Sequence, residues 1–355
     1  MRVLLLSRYG QLGASSRVRS YQYLPYLKAQ GIDVTVEPLL NDDYVKSLYS
    51  GKAKPLFSIF GSYMRRLGNI LKSRSFDLVW IEKELFPWLP AWMEIIMSYI
   101  NIPYIVDYDD AIFHRYNMNP HGVVRALLGN KIDKIMHNAN VVVAGNMYLA
   151  NYAIRSDAKR VESIPTVIDL GRYSIKDRAN ASGFNVGWIG SPMTAKYLNI
   201  VKPAIIQFYK EGNSSLSLVG SGQFELDELP INIIPWSEET EVSNIRDFDV
   251  GIMPLSDSPW ERGKCGYKLI QYMACGKPVV ASPVGVNTEI VEHGVNGFLA
   301  ESADEWLEAL TVLRDDPDLS KKMGKEGRKI VEKKYCLQVT APKLLSIFRA
   351  YEAKL

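Results

Sequence analysis

Residues 257–300 read DSPWERGKCGYKLIQYMACGKPVVASPVGVNTEIVEHGVNGFLA, and the rest of the chain is interpreted from this stretch. A loop containing Gly263 and Gly266 precedes Tyr267–Ala274, whose apolar residues recur at helical spacing. A glycine-containing loop that opens a helix suits anion binding, because free N–H groups and the helix dipole point the same way. The alternative is an ordinary loop in front of a core helix.

Charged and helix-ending residues flank this helix. Lys264 and Lys268 add positive charge at its start. Gly276 and Pro278 predict its end, and the following residues, 279–281, are typical of a buried strand. The stretch therefore predicts a loop–helix–strand unit with a basic entrance.

The composition is that of a folded globular protein. A chain of 355 residues exceeds one ordinary core, so two domains are expected. The apolar run in MRVLLLSRYG is too short for a signal peptide or a membrane span. The three cysteines show no CxxC spacing, which argues against a disulfide framework or a zinc site. We expect a cytoplasmic protein, soluble or attached to a membrane surface.

Basic residues are concentrated between positions 44 and 76, where no acidic residue occurs. The basic residues are Lys46, Lys52, Lys54, Arg65, Arg66, Lys72 and Arg74. Aromatic and aliphatic residues lie between them, a combination that suits an anionic membrane surface. A solvated helix face has the same composition, and the sequence leaves both interpretations open.

The chain opens as an α/β unit. A buried strand at 3–7 is followed by a loop with Gly13 and by a helix that begins near Arg17. The loop lacks GxGxxG and is weak evidence for a nucleotide. Arg17 and Arg19 in the first helical turn oppose the helix dipole, so they are expected to face an anion or an acidic partner, the alternative being simple exposure.

Further strands recur at α/β spacing and predict a parallel sheet with right-handed crossovers. Ligands bind at the carboxyl ends of such strands. The 82–84 triplet and the acidic residues Asp107, Asp109 and Asp110 follow two strands at that edge. The carboxylates suit a divalent metal, a general base or hydrogen bonds to hydroxyls, and one of them could instead cap the next helix.

A polar stretch at 168–183 is expected to link two domains. A second α/β cycle then begins. The predicted division is an N-terminal Rossmann-like domain, 1–170, a C-terminal Rossmann-like domain, 171–337, and a helix, 338–355, that returns to the first domain.

The chain resembles glycosyltransferase family 4, the old group 1 glycosyltransferases, over essentially its whole length. The characteristic segments are 272–281, YMACGKPVVA, and 294–299, GVNGFL. The resemblance implies a GT-B fold, with two Rossmann-like domains facing a cleft. It further implies transfer of a sugar from a nucleotide-sugar to a glycan or lipid-linked acceptor, with retention of configuration and without metal or cofactor.

The family places its donor mainly against the second domain, where this chain departs from the pattern. The family's two glutamates map to Gly263, which has no side chain, and to Gln271, whose amide oxygen accepts hydrogen bonds without charge assistance. Glu261 could reach the sugar instead. Gly266 retains the glycine whose N–H faces the diphosphate.

A second departure concerns the cations. The family's glycine–arginine loop with a lysine five residues on maps to Gly190, Ser191 and Lys196, so the arginine is lost. A departing diphosphate needs cations as its charge develops. Lys264 and Lys268 are placed to substitute for the missing charge.

The resemblance also assigns roles to other residues. Gly13 corresponds to a loop that approaches the diphosphate, Arg17 could serve a phosphate, and Trp236 could stack on the base or be a core residue. The predicted catalytic residues are Lys196, Lys268, Asp109 and Asp110. The predicted donor-binding residues are Gly13, Arg17, Gly190, Ser191, Lys196, Trp236, Glu261, Gly263, Lys264, Gly266, Tyr267, Lys268 and Gln271.

These features predict an enzyme of cell-surface glycan synthesis that docks on the inner face of the plasma membrane through residues 44–76 and binds no nucleic acid. Two alternatives remain. A donor-binding but inactive partner subunit is suggested by Gly263 and Ser191, and a sugar-nucleotide epimerase shares the two-Rossmann plan.

Overall fold

The computed structural model describes residues 1–49, 56–175, 183–225 and 229–352. It divides into two compact units. Unit 1 comprises residues 1–166, 263–265 and the C-terminal stretch from Thr340, and unit 2 comprises 167–262 and 266–339.

Unit 1 is built on a parallel six-stranded sheet in the order β2-β1-β3-β4-β5-β6. Its strands are β1 (Arg2–Leu6), β2 (Asp33–Val36), β3 (Leu78–Glu82), β4 (Tyr104–Tyr108), β5 (Val141–Ala144) and β6 (Val161–Ser163). Its helices before residue 166 are α1 (Ala14–Arg19), α2 (Leu24–Ala29), α3 (Asp42–Tyr49), α4 (Leu56–Leu71), α5 (Trp92–Tyr99), α6 (His114–Asn117), α7 (Gly122–Leu128), α8 (Lys131–Asn138) and α9 (Met147–Arg155).

The strand order places the helices of unit 1 in two layers. The connection from β1 to β2 runs one way across the sheet, and those from β2 to β3 and from β3 to β4 run the other way. Because such crossovers are right-handed, α4 and α5 lie on the face opposite α1 and α2. The central strands are buried on both faces, as their continuous apolar runs predict.

Unit 2 repeats this plan with the order β12-β11-β10-β7-β8-β9, again parallel. Its strands are β7 (Phe184–Ile189), β8 (Ser214–Val219), β9 (Ile231–Ile234), β10 (Val250–Met253), β11 (Val279–Ala281) and β12 (Gly297–Leu299). Its helices are α10 (Pro192–Ala195), α11 (Leu198–Lys210), α12 (Glu241–Arg246), α13 (Pro259–Arg262), α14 (Tyr267–Ala274), α15 (Asn287–Ile290), α16 (Ala303–Asp315) and α17 (Pro317–Lys334).

The last helix is α18, Leu337–Arg349. Its residues from Thr340 onward pack within unit 1. The Tyr23 and Thr340 hydroxyl oxygens are 2.9 Å apart, and the Phe348 ring meets Trp80 edge-on at 5.3 Å. The C-terminal helix thus covers the core of unit 1.

One strand differs from its prediction. The apolar run at 163–169 predicts a strand, but β6 covers only Val161–Ser163. Pro165 has no N–H group to donate to a strand ladder, which explains why the pairing stops before it.

Candidate functional site

The turn from β1 into α1 brings two serines to the carboxyl edge of the unit 1 sheet. Gly13 precedes α1, and a Cβ atom there would lie 2.3 Å from the Cβ of Tyr9, so a side chain does not fit. Ser15 donates a hydrogen bond to Asp109, and Ser16 donates one to Glu82 at 2.6 Å. The glycine loop therefore positions hydroxyl groups against the ends of β3 and β4.

Lys83 links the two aspartates that follow β4. Its Nζ lies 2.7 Å from Asp109 Oδ1 and 3.5 Å from Asp110 Oδ2. Lys264 Nζ approaches Asp110 from the other side, at 3.7 Å from Oδ1. Ser15, Lys83, Asp109, Asp110 and Lys264, hereafter the edge cluster, thus converge within unit 1.

The electrostatics of the edge cluster favour charged side chains. Burial raises the pKa of Asp109, but Lys83 and Arg19 outweigh that effect and hold it below its usual range. Burial likewise lowers the pKa of Lys83, while Asp109 and Asp110 raise it above its ordinary value. The Asp110 side chain is 29% exposed and that of Asp109 is 11% exposed, so Asp110 is the carboxylate that reaches solvent.

The two arginines of α1 are both buried. Arg19 contacts both carboxylate oxygens of Asp107, at 2.8 and 3.0 Å, and donates to the Ile164 carbonyl. Arg19 therefore faces an acidic partner, one of the two outcomes expected from the sequence. The helix begins at Ala14 and not near Arg17, so both arginines lie in its last turn and the predicted opposition to the helix dipole is wrong. Arg17 is 6% exposed, which leaves little of its surface for a ligand in this conformation.

Residues 263–265 of the opening stretch belong to unit 1. Asn146 donates through its side-chain amide to the carbonyls of Gly263, at 3.0 Å, and Lys264, at 2.9 Å. A Cβ atom at Gly263 would lie 2.4 Å from the Cβ and 2.7 Å from the backbone nitrogen of Ala111. Close backbone packing therefore explains why the position of the family's first glutamate has no side chain.

In unit 2, the loop after β7 lies against the start of α14. A Cβ atom at Gly190 would lie 2.9 Å from Cε of Lys268 and 2.5 Å from the Trp188 ring. Lys268 Nζ is 5.1 Å from the centre of that ring. Gly266 precedes α14 with a left-handed φ of 65°, which glycine adopts without strain. A lysine from the first turn of α14 thus reaches the Gly190 loop.

Ser191 and Lys196 flank the short helix α10. Ser191 and Thr194 form a capping box at its start, and Thr194 Oγ1 accepts from the Ser191 N–H at 3.1 Å. Ser191, at the family's arginine position, therefore has a structural role. Lys196 ends α10, with its Nζ 5.1 Å from the centre of the Tyr197 ring.

Gln271 and Trp236 share a hydrogen-bonded network in unit 2. Gln271 is buried and donates to the Tyr173 hydroxyl at 3.0 Å. Tyr173 donates to one carboxylate oxygen of Glu241, and the Trp236 indole N–H donates to the other at 3.1 Å. Trp236 is half-buried beside the core. The amide at 271 is thereby fixed in orientation.

Glu261, which the sequence offers as a substitute for the missing glutamate, is buried in unit 2. Its carboxylate accepts hydrogen bonds from the hydroxyls of Tyr197 and Ser258. Tyr267, at the first position of α14, is half-buried. Donor contacts from these two residues remain predictions.

The basic residues of segment 44–76 are predicted to lie on the surface, and the structure differs at one of them. Arg66 is 1% exposed and donates to the carbonyls of Ser7 and Glu37, so its assignment to a basic surface is wrong. The side chain is long enough to cross from α4 to the ends of β1 and β2, where it satisfies backbone acceptors. Lys52 and Lys54 lie outside the described residues.

Several residues of these sites were not singled out in the sequence, among them Lys83, Asn146, Tyr173 and Glu241. The signal for Lys83 was its position in the charged triplet after β3. Within the described ranges, no group of three or more histidine, cysteine, aspartate or glutamate residues is arranged to hold a metal ion.

The protein-family comparison covers most of unit 2. Residues 184–316 match the model described as glycosyl transferases group 1, and this range contains the Gly190 loop and α14. This domain is therefore similar to the group 1 glycosyltransferases. The narrower assignment to family 4 is compatible with the match and stays a prediction.

Two curated relatives illustrate the extent of the sequence similarity. An uncharacterized glycosyltransferase, MJ1178 of Methanocaldococcus jannaschii, is 24% identical over 62% of this chain and 70% of its own length. D-inositol 3-phosphate glycosyltransferase of Pseudarthrobacter chlorophenolicus is 30% identical, but over only 28% of this chain and 23% of its own length.

Solved structures extend the likeness in fold to the whole chain. Sucrose-phosphate synthase of Thermosynechococcus elongatus has a TM-score of 0.73 at 15% identity, covering 99% of this chain and 98% of that one. Anabaena Alr3699/HepE in complex with UDP-glucose has a TM-score of 0.71 at 17% identity, covering 99% of both chains. Together with the two parallel sheets, these likenesses confirm the GT-B fold class.

Proposed function

We propose that this glycosyltransferase moves a sugar from a uridine diphosphate sugar to an acceptor hydroxyl with retention of configuration. The observation that carries the proposal is the contact of Lys268, in the first turn of α14, with the Gly190 loop inside the matched domain. The HepE complex with UDP-glucose supports the choice of donor.

The donor diphosphate is assigned to the Gly190 loop, Lys196, Lys268 and the N–H of Gly266. As the bond between the anomeric carbon and the β-phosphate oxygen breaks, negative charge grows on the departing diphosphate. Lysine side chains and the positive end of a helix stabilise that charge. These protein cations take the place of a metal ion in the proposal.

The acceptor is assigned to the edge cluster. The acceptor oxygen forms a bond to the anomeric carbon on the face from which the diphosphate departs, and its proton passes to a departing phosphate oxygen. Asp110 reaches solvent and accepts hydrogen bonds from acceptor hydroxyls, while Lys83 keeps Asp109 charged. No protein nucleophile is required by this scheme.

The experiment follows transfer from UDP-glucose and related donors to lipid-linked and glycan acceptors. We expect Lys268→Met and Lys196→Met to lower kcat by about 100-fold or more, since a lost charge partner in the transition state costs that much. Lys210→Met, at the exposed end of α11, is the matched control. If both site variants behave like the control, the diphosphate assignment is wrong.

Retention and metal independence have their own readouts. The anomeric configuration of the product, determined by NMR, must equal that of the donor, and EDTA must leave the rate unchanged. An inverted product or a rate lost to EDTA and restored by a divalent cation would refute these parts of the proposal.

A second candidate function, a donor-binding subunit without turnover, is favoured by Gly263, where packing excludes the family's carboxylate. It predicts that UDP binds and that the donor panel gives no transfer or hydrolysis. Tight UDP binding without any product would favour this candidate over the enzyme.

The proposed acceptor is a cell-surface glycan or its lipid-linked precursor, reached on the inner face of the plasma membrane. No helix in the described parts of the chain is long and apolar enough to cross a membrane. The basic side chains of 44–76 that remain on the surface, including Lys72 and Arg74, support peripheral attachment.

A further inference from the structure

Unit 1 exposes a cluster of large apolar side chains at one end of its α4–α5 layer. Phe57 is 94% exposed, Trp92 is 62% exposed and Leu127 is 72% exposed. The cluster, hereafter the apolar face, consists of Phe57, Phe60, Trp88, Trp92, Val123 and Leu127. A large exposed apolar surface marks a site of interaction with a protein or a membrane.

Contacts beneath the apolar face hold its segments side by side. Tyr63 of α4 donates to the Pro87 carbonyl at 2.7 Å, and its ring lies 5.4 Å from that of Phe86. Trp88 meets the Tyr116 ring edge-on at 5.5 Å, and its backbone N–H donates to the Tyr116 hydroxyl. Helix α6, which contains Tyr116, packs on α7. The face is therefore formed by the fold of unit 1 and not by a detached segment.

The segments that carry the apolar face contain almost only positive charges. Residues 56–76, 86–106 and 111–132 contain one acidic residue, Glu94, and it is 1% exposed. The basic residues in these ranges are Arg65, Arg66, Lys72, Arg74, Arg115, Arg125 and Lys131, of which Arg66 and Lys131 are buried. The exposed surface of these segments thus combines apolar side chains with cations and no carboxylate.

We propose that the apolar face inserts into the interfacial region of an anionic lipid bilayer. Tryptophan is enriched at that depth, and cations at the rim contact lipid phosphates. Charge complementarity favours a bilayer over a second copy of this chain, because two copies meeting face to face would bring like charges together. The predicted membrane contact of 44–76 is thereby extended to α5 and α7.

This inference rests on the proposed function for its biological setting, since bilayer attachment brings the edge cluster to a lipid-linked acceptor. The two are adjacent in the fold. Tyr116, beneath Trp88, donates to Glu84, which follows Lys83 of the edge cluster.

The test measures binding of the full chain to phosphatidylglycerol–phosphatidylethanolamine vesicles by sedimentation, with phosphatidylcholine vesicles as the uncharged comparison. We expect binding to the anionic vesicles alone. Phe57→Ser, Trp92→Ser and Leu127→Ser should each weaken it by about tenfold, because each removes apolar area that the bilayer would bury. Ile233→Ser, an exposed aliphatic residue of unit 2, is the matched control.

Calorimetric titration of the same variants with UDP separates this inference from the proposed function. Unchanged UDP affinity with lost vesicle binding supports the bilayer face. Vesicle binding that is absent in the unmodified chain, or equal in all variants, overturns the inference whatever UDP does. Dimerisation that the three serine variants abolish, without vesicle binding, also overturns it and assigns the face to a second copy.

Discussion

Lys83 carries the most unusual combination of properties in unit 1. It is 5% exposed, has a left-handed φ of 64° without being glycine, and lies between two carboxylates. Such backbone geometry persists only where surrounding contacts determine it. Its backbone N–H donates to the Asp107 carbonyl at 3.0 Å, and its side chain pairs with Asp109 and Asp110.

Lys83→Met should lower the free energy of unfolding by about 3–5 kcal/mol, since it leaves a buried carboxylate without its partner. Asp109 has a lowered pKa, so its stabilising contribution is present above the ordinary carboxyl pKa and disappears as pH falls through the lowered value. In the Lys83→Met protein, the stabilising contribution of Asp109 is lost at a higher pH, because the lysine no longer lowers its pKa. Chemical denaturation at several pH values measures both effects.

The controls for this prediction are Lys83→Arg and Lys72→Met. The arginine variant retains the charge and should keep most of the acid stability, and Lys72 is an exposed lysine of the same unit. A Lys83→Met protein with unaltered pH dependence would show that Lys83 does not set the charge of the edge cluster.

Gly263 gives a second prediction at this scale. Gly263→Ala should cost about 1–3 kcal/mol, because the added methyl group overpacks against Ala111. Gly61→Ala, on α4 with no atom within 4 Å of the added methyl group, should be neutral or stabilising by up to about 1 kcal/mol. Equal thermal stability of the two variants would contradict the packing explanation.

At the scale of elements, the sequence predicted the positions of the repeated strands well. It predicted poorly which residues contact one another at the ends of those strands. The apolar runs at 3–7 and 279–281 identified β1 and β11, because strands buried on both faces are continuously apolar. Strand β12, with three residues beginning at Gly297, lacks such a run.

The contacts at the strand ends join residues distant in the sequence, which periodicity does not report. Gly263 next to Ala111, and Lys83 next to Asp109, required the folded chain. The loop at 263–268 was singled out as a donor site because its glycines and lysines are close together in the sequence, and that role stays a prediction. The edge cluster was found only in part, through its aspartates.

The prediction at the scale of an element concerns Arg66. Its hydrogen bonds join α4 to the ends of β1 and β2. Burial lowers its pKa to about 10. Arg66→Met should lower the free energy of unfolding by about 1.5–3 kcal/mol, the usual cost of losing hydrogen bonds from a charged group. Arg65→Met, at the neighbouring exposed position, should change it by less than about 0.5 kcal/mol.

Equilibrium urea unfolding compares the two variants. A larger effect at position 65 than at 66 would contradict the assignment of Arg66 to the interior of unit 1.

At the scale of the whole molecule, the three cysteines report on the integrity of both units. Cys265 lies in unit 1, and Cys275 and Cys336 lie in unit 2. All three are free and buried, and burial raises the pKa of Cys265 and Cys275 to about 12. The reactive form, the thiolate, is therefore scarce in the folded protein.

We expect a thiol reagent such as DTNB to react slowly with the native chain and with three thiols after denaturation. Rapid reaction of one native thiol would show that the unit containing it opens readily. Single Cys→Ser variants identify which thiol reacts, and so which unit opens.

The central claim for the molecule is that the donor diphosphate binds between the Gly190 loop and the N-terminus of α14. A crystal structure with UDP tests it most directly. The account predicts a β-phosphate oxygen within about 3.2 Å of the Gly266 N–H, with Lys268 Nζ in contact with the diphosphate. A UDP molecule with its diphosphate away from both residues would contradict it.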